Sequence, residues 1–195
     1  MGNQRVVLAD NDSASRKNIK AQLSRFDNWV VGEAGDGITA LKLVRSRQPD
    51  LLITKAFLPG MDGVQVAKIM RQDNLAPVVL VGSSFQQSVL EKARDAGVFA
   101  FLQSPVEDSS LLTAVELAAA NYREMVRLEG KIQDLERKLQ TRKVVEKAKG
   151  ILMETKGVSE ADAFGMMQKQ SMNERKGMQT IAEAIIMAHN LMQDI

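Results

Sequence analysis

The sequence has 195 residues, of which 26 are Lys or Arg and 24 are Asp or Glu, so the formal net charge is +2. It contains no cysteine, which excludes disulfide bonds and thiolate chemistry and favours a reducing compartment. No apolar run reaches the roughly 18 residues of a membrane span. A strand pattern near the N-terminus leaves no room for a signal peptide, so we expect a cytoplasmic protein without a membrane partner.

The first part of the chain alternates between strand and helix patterns. Strands are predicted at residues 5–10, 29–34, 50–54, 77–81 and 99–102. Helices are predicted at residues 14–26, 36–47, 64–72 and 87–96, and a long helix follows the fifth strand. Short loops rich in Gly, Pro, Asp and Asn join them. This alternation favours an α/β fold in which helices cover both faces of a parallel sheet.

Polar residues follow several of these strands. In sheets of this kind, functional groups collect beyond the carboxyl ends of the strands. The residues expected at this edge are Asp10, Asn11, Asp12, Lys55, Gly82, Ser83, Ser84 and Ser104.

Six short motifs occur in order over about residues 1–120. They are Leu8–Asp12, Gly35–Gly37, Pro49–Ile53, Pro59–Gly63, Ala93–Gly97 and Ser104-Pro105. With these motifs at this spacing, the region resembles a response-regulator receiver domain. The resemblance implies a flavodoxin-like, CheY-like fold, which is a doubly wound parallel sheet of five strands.

The resemblance also implies a chemistry that this sequence only partly retains. Receiver domains hold Mg²⁺ on an acidic cluster after the first strand and accept a phosphoryl group on an aspartate that ends the third. Asp10 and Asp12 supply the acidic cluster, but Lys55 occupies the acceptor position. We expect the Lys55 ammonium to pair with these carboxylates, because unpaired charges in a partly buried pocket are costly. The alternative is that Lys55 points to solvent in a pocket that has decayed.

Two further receiver positions differ. The family's Thr or Ser at the end of the fourth strand corresponds to Gly82, with Ser83 beside it, and its Lys before a proline corresponds to Ser104 before Pro105. A lysine cannot form an acyl phosphate, so we expect no conventional phosphorylation. Transfer to another aspartate, such as Asp62, stays open.

A proline-free run from about Val106 to Met153 predicts one long helix. Its middle, residues 121–142, is predicted to be a coiled-coil linker. The apolar residues of this segment follow a 3-4-3-4 spacing, which is an a/d seam that packs best against a copy of the same helix. These residues are Met125, Leu128, Ile132, Leu135 and Leu139. We therefore expect a homodimer, although the seam could instead pack on the protein's own domains.

The remaining residues, 143–195, predict a bundle of three helices. The long helix continues to about Met153 and ends at Gly157, and Ser159–Asp162 is typical of a helix start. A third helix carries an apolar stripe that begins at Met178. Phe164, the only aromatic residue of this region, and its seven methionines are expected in the core.

This region contains the motifs Ala148–Met153, Gly157, Ala163-Phe164, Ser171-Met172 and Ile181-Ala182. With them it resembles the ANTAR domain, an antitermination module, and receiver, coiled coil and ANTAR in this order are that family's architecture. The resemblance implies binding to paired stem-loops in leader RNA, which prevents a terminator from forming. The candidate RNA-binding residues are Lys143, Lys147, Ala148, Lys149, Gly150, Lys156, Lys169, Arg175 and Lys176.

The leading hypothesis is an RNA-binding transcription antiterminator whose receiver lacks the phosphoacceptor. A second hypothesis makes the receiver an interaction module on which a sensor or ligand-binding protein masks or releases the RNA-binding end. A third is phosphorylation at a non-standard aspartate. An enzyme is not expected, because there is no cysteine, the single histidine lies in an apolar stripe, and the sequence lacks nucleophile and phosphate-binding motifs. No cofactor and no metal site are expected.

Overall fold

The computed structural model of the chain describes residues 3–83 and 87–193. The strands within these residues are β1 (Arg5–Ala9), β2 (Trp29–Ala34), β3 (Leu51–Lys55), β4 (Val78–Gly82) and β5 (Ala100–Gln103). The helices are α1 (Ser13–Arg25), α2 (Gly37–Arg47), α3 (Gly63–Gln72), α4 (Gln87–Asp95), α5 (Asp108–Lys156), α6 (Glu160–Glu174) and α7 (Met178–Gln193). The strands pair in parallel in the order β2-β1-β3-β4-β5. The predicted doubly wound α/β fold and helical C-terminal part are confirmed.

The central strand β3 shows why the sheet forms. Leu51, Leu52 and Ile53 are all fully buried. Successive side chains of a strand point to opposite faces. Leu52 accordingly packs in the hydrophobic core on one face of the sheet, whereas Leu51 and Ile53 pack in the core on the other. A strand covered on both sides needs a continuous apolar run, and this sequence supplies one.

The turn after β3 fixes the end of that strand. Asp62 caps α3, and its side chain accepts a hydrogen bond from the backbone N–H of Gln65. The next residue must be small, because a Cβ on Gly63 would lie 2.2 Å from the carbonyl oxygen of Lys55. The Gly63 N–H donates to the carbonyl of Ala56. The Pro59–Gly63 motif therefore holds the backbone around Lys55 in place.

Helix α5 belongs to two compact units, which divide between Val126 and Arg127. The predicted divisions after residues 120 and 142 stay predictions. Four of the seam residues, Leu128, Ile132, Leu135 and Leu139, are 46%, 55%, 64% and 55% exposed.

The fifth seam residue, Met125, is half-buried and lines a hollow of the first unit with Tyr122 and Phe99. On the flank of the seam, the predicted pair of Asp134 and Lys138 is present, with 2.7 Å between a carboxylate oxygen and Nζ.

The second unit packs α5, α6 and α7 around small side chains. Ala148, Ala163 and Ala182 are fully buried, one on each helix. Larger apolar residues, including Leu152 and Met167, fill the space around them. Small residues at the contacts let the three helices approach closely. None of the helices among the described residues combines the length and apolar character needed to cross a membrane.

Two core predictions for this unit are wrong. Phe164 is 44% exposed, because the buried positions of α6 are Ala163 and Met167, and Phe164 lies beside that stripe. The methionines are not mainly core residues either. Those with exposed side chains are Met153, Met166, Met172, Met187 and Met192.

Candidate functional sites

Asp10 and Lys55 meet at the carboxyl edge of the sheet. β1 and β3 are neighbours, and their register pairs Ala9 with Thr54. The residues that follow this pair, Asp10 and Lys55, therefore lie side by side. The Lys55 Nζ is 3.3 Å from Oδ1 of Asp10. The Asp10 side chain is only 3% exposed, whereas that of Lys55 is 32% exposed. The predicted ion pair with Asp10 is confirmed, and Lys55 does not simply point to solvent.

Asp12 caps the first helix and does not take part in the ion pair between Lys55 and Asp10. Its backbone N–H donates to Oδ1 of Asp10 at 2.8 Å, and its own carboxylate caps α1 by accepting from the N–H of Ala14. A second cation, Arg16, donates to the backbone carbonyl of Asp10. Sequence reasoning missed Arg16, because only the fold of α1 over the edge of the sheet brings it there.

The pocket does not fit the Mg²⁺ ion that receiver domains hold. A metal would need oxygen ligands from the acidic cluster and from the acceptor position. Here Oδ1 of Asp10 already accepts from Lys55 and from the Asp12 N–H, and an ammonium takes the place of the acceptor carboxylate. Among the described residues, no group of three or more His, Asp or Glu side chains is arranged to hold a metal ion.

At the end of β4, Gly82 lies against the aromatic ring of Phe101 and supplies no side-chain hydroxyl. A Cβ on Gly82 would lie 2.6 Å from the ring of Phe101, so the aromatic side chain occupies the space of a residue at position 82. The Gly82 carbonyl accepts from the N–H of Ser104, which is half-buried, and Ser83 is exposed. Ser84 lies outside the described residues.

In the second unit, Lys143 and Lys147 form an open basic surface on α5. They lie one turn apart, so they share a face of the helix. Both are exposed, and within the described residues neither forms an ion pair. One turn further along lies Gly150, where an added Cβ would meet no heavy atom within 4 Å. We call these three residues the lysine surface.

Lys149 lies elsewhere and is already neutralised. Its Nζ is 2.8 Å from a carboxylate oxygen of Glu146 and 2.6 Å from one of Glu160, and its side chain is 9% exposed. The hydrogen bond to Glu146, and then that to Glu160, raises the pKa of Lys149. The same contact with Lys149 lowers the pKa of Glu160. This Lys149 cluster joins α5 to the start of α6, and sequence reasoning missed its two glutamates.

The structure does not bring the other candidates together on one surface. Ala148, which was predicted to bind RNA, is fully buried in the bundle, so its small side chain serves helix packing and does not contact RNA. Lys156 and Lys176 line one cleft of about 360 Å³ at the other side of the bundle, where Nζ of Lys176 is 2.8 Å from Glu174. Lys169 and Arg175 are exposed, and Arg175 ends α6 in a left-handed conformation with φ of 53°.

Comparison with protein families agrees with the division of the chain into two units. The response regulator receiver domain matches residues 6–116, and the ANTAR domain matches residues 133–186. The chain belongs to the ANTAR response regulators. It is therefore an RNA-binding type of transcriptional regulator from the two-component class, as the sequence motifs indicated.

Two relatives match different shares of this ANTAR response regulator. It is 37% identical to the transcriptional regulatory protein PdtaR of Mycobacterium tuberculosis over 183 residues, which is 94% of this chain and 89% of the relative. The receiver domain of the putative response regulator NarL from Mycobacterium tuberculosis superposes with a TM-score of 0.59 at 31% identity, over 62% of this chain and 98% of that one.

A receiver domain of a modulated diguanylate cyclase from Desulfovibrio desulfuricans G20 shares the fold. It superposes with a TM-score of 0.60 at 20% identity and covers 64% of this chain and 99% of that one.

Proposed function

We propose that this response regulator is a transcription antiterminator that binds tandem stem-loops in leader RNA and thereby keeps a terminator hairpin from forming. The observation that carries the proposal is the lysine surface. Lys143 and Lys147 hold two exposed charges one turn apart on an ANTAR bundle, and Gly150 beside them leaves the helix backbone accessible. Cations without carboxylate partners are available to RNA phosphates, and binding releases the counterions of the RNA.

The test is the affinity for a two-hairpin leader RNA, measured by fluorescence anisotropy at two salt concentrations. Lys147→Ala should weaken binding and lower the slope of log affinity against log salt by about one. Lys17→Ala is the matched control, because it removes an exposed lysine from α1 in the other unit. Equal effects of the two substitutions would contradict a role for the lysine surface.

We further propose that the chain binds RNA as a homodimer through the exposed seam of α5. Leu128, Ile132, Leu135 and Leu139 repeat at a and d positions and expose large apolar areas. The next positions of the repeat are Arg142 and Glu146, which are charged, so the seam ends before the lysine surface. Two bundles on one dimer would match two stem-loops on one RNA.

Sedimentation of the full chain tests the dimer. Leu135→Ser should shift the protein toward monomer. Leu117→Ser is the control and should not cause this shift, because Leu117 is 56% exposed on α5 but lies outside the a/d repeat. The monomer should bind a single hairpin like the wild type but lose the added affinity for two linked hairpins. A monomeric variant that keeps full affinity for the tandem RNA would exclude the dimer as the binding form.

The charges that flank the seam indicate its direction. In a parallel pair, Lys131 at a g position faces Glu136 at the next e position of the partner helix. Lys131→Glu should weaken the dimer, and the double substitution Lys131→Glu with Glu136→Lys should restore it. Failure of the double substitution to recover the dimer would point to another register.

The receiver unit is proposed to work without a phosphoryl input. Lys55 occupies the acceptor position and is paired with Asp10. Incubation with acetyl phosphate and Mg²⁺, followed by intact mass measurement, should show no phosphoryl adduct. An adduct on Asp62 or another aspartate would instead support phosphorylation at a non-standard site.

A second candidate function makes this unit the docking site of a regulatory protein that masks or releases the RNA-binding end. The observation that favours it is Phe57, which is 68% exposed and lies two residues after Lys55. A partner captured by the wild-type chain, but not by Phe57→Ser, should change RNA affinity when it is added back in purified form. Identical capture by both chains, with RNA binding that never varies, would count against this candidate.

A further inference from the structure

A hollow beside the lysine surface lies between α5 and α7. It has a volume of about 320 Å³ and is open to solvent. One wall is Val144 of α5, and the rest of the lining comes from one face of α7. The lining residues of α7 are Glu183, Ile186, Met187, Asn190 and Leu191.

The lining combines exposed apolar walls with two polar side chains. Met187 is 66% exposed and Leu191 is 60% exposed, although both are large apolar residues. Asn190 can donate and accept hydrogen bonds, and the carboxylate of Glu183 can only accept. Glu183 already accepts from Nε2 of Gln179 at 2.8 Å and has further acceptor capacity. This lining suits a flat, partly apolar group whose edge carries hydrogen-bond donors.

The position of the hollow connects it to RNA. Val144 follows Lys143 directly and lies one turn before Lys147, so the hollow adjoins the lysine surface along α5. It does not belong to the dimer seam, because the next positions of the a/d repeat after Leu139 are Arg142 and Glu146, and Val144 lies two residues from each of them, on the opposite side of the helix. Lysines that bind the phosphates of a loop would hold its bases close to this hollow.

We infer that the hollow receives one unpaired base from a loop of the bound RNA. Proteins that read RNA sequence usually target unpaired loop bases, which they stack on side chains and bind through hydrogen bonds to the base edges. Met187 and Leu191 lie against the face of the base, and Asn190 and Glu183 bind its edge. A carboxylate only accepts hydrogen bonds. Glu183 therefore favours a base whose exocyclic amino group donates to it over uracil, whose single N3–H donor lies between two carbonyl oxygens that the carboxylate repels. The inference rests on the proposed function and names the element of the RNA that this surface reads.

The probe is a pool of two-hairpin RNAs with fixed stems and randomised loops, from which the wild-type chain selects its ligands. Asn190→Ala and Met187→Ser should each bind the selected RNAs about tenfold more weakly and lose the preference for an amino-bearing base at one loop position. Lys147→Ala should weaken all RNAs of the pool to a similar extent. Met192→Ser is the matched control, because Met192 is 77% exposed on the same helix but does not line the hollow.

Asn190→Asp provides a second test with little change of shape. It removes the amide donors of residue 190 and adds a charge beside Glu183, so it should alter the base preference while circular dichroism shows an intact bundle. Base preferences equal to those of the wild type in all the hollow variants would overturn the inference.

Two outcomes separate this inference from the proposed function. If Lys147→Ala weakens binding while Met187→Ser and Asn190→Ala behave like the Met192→Ser control, the hollow is not a base site but RNA binding stands. If the wild-type chain selects no RNA from the pool, the proposed function fails first. A lower sedimentation mass of Met187→Ser with an unchanged base preference would assign the hollow to contact between two copies of the chain and would also overturn the inference.

Discussion

Replacing Lys55 by methionine should show how much the lysine contributes as an internal counterion. With 3.3 Å between Nζ and Oδ1 of Asp10, the Coulomb attraction is about 5 kcal/mol at an effective dielectric constant of about 20. Most of this attraction is offset by desolvation of the two charges. Breaking a fully buried pair costs about 3–5 kcal/mol, and breaking a surface pair costs about 0–1 kcal/mol. Because Asp10 is buried and Lys55 is one-third exposed, we expect a loss of about 2 kcal/mol.

The measurement is urea unfolding followed by the fluorescence of Trp29, the single tryptophan, which reports on the first unit. Lys20→Met is the control, because its partner Glu33 is 2.7 Å away in an exposed pair. That change should cost less than about 1 kcal/mol. A double-mutant cycle with Asp10→Asn should give a coupling of about 1–2 kcal/mol for the buried pair. Equal costs for the two lysine substitutions, with no coupling, would refute the counterion role.

Three further predictions concern smaller features. Gly82→Ala should destabilise the first unit, since its Cβ would lie 2.6 Å from the Phe101 ring, and Phe101→Leu should relieve much of that cost in urea unfolding. Gly150→Ala and Gly130→Ala should each stabilise α5 by about 0.5–1 kcal/mol in thermal unfolding, because both positions are open, but only Gly150→Ala should weaken RNA binding. The hydrogen bond from Lys149 lowers the pKa of Glu160 below its ordinary value of 4.5. The stability that the ionised Glu160 adds is therefore fully present above pH 4.5. It is lost as the pH falls through the lowered pKa, so Glu160→Gln should flatten the acid limb of a stability profile.

The sheet could be predicted from the sequence because its signals are local. A buried strand such as β3 needs a continuous apolar run, and the turn at Pro59–Gly63 marks its end. Asp10 and Lys55 could be placed together because β1 and β3 end at the same edge of the sheet. Arg16 and Phe101 could not be predicted in the same way. Their contacts with the pocket depend on how α1 and β5 pack against it.

The helical bundle shows more clearly that the spacing of apolar residues does not predict which of them are buried. On α6, exposed Phe164 directly follows buried Ala163, and exposed Met166 directly precedes buried Met167, and apolar character alone does not distinguish these positions. Which stripe faces the core depends on the neighbouring helices, and the sequence of one helix does not contain that information. The hollow formed with α7 was missed for the same reason, since Val144 and Asn190 are 46 positions apart in the printed sequence.

The lysines of this chain differ in function because their surroundings differ. Lys55 and Lys149 each neutralise carboxylates at partly or largely buried positions, and a phosphate could bind either one only by displacing those partners. Lys143 and Lys147 are exposed and have no carboxylate partner within the described residues. A phosphate that binds them therefore displaces only screening ions from solution. The motif that resembles an ANTAR domain contains Lys149, yet the lysines that we propose to contact RNA phosphates are Lys143 and Lys147. Lys149 would then act through the position of α6, because it pairs with Glu160 at the start of that helix. Lys149→Met should lower the thermal stability of the bundle and leave the slope of log RNA affinity against log salt close to that of the wild type.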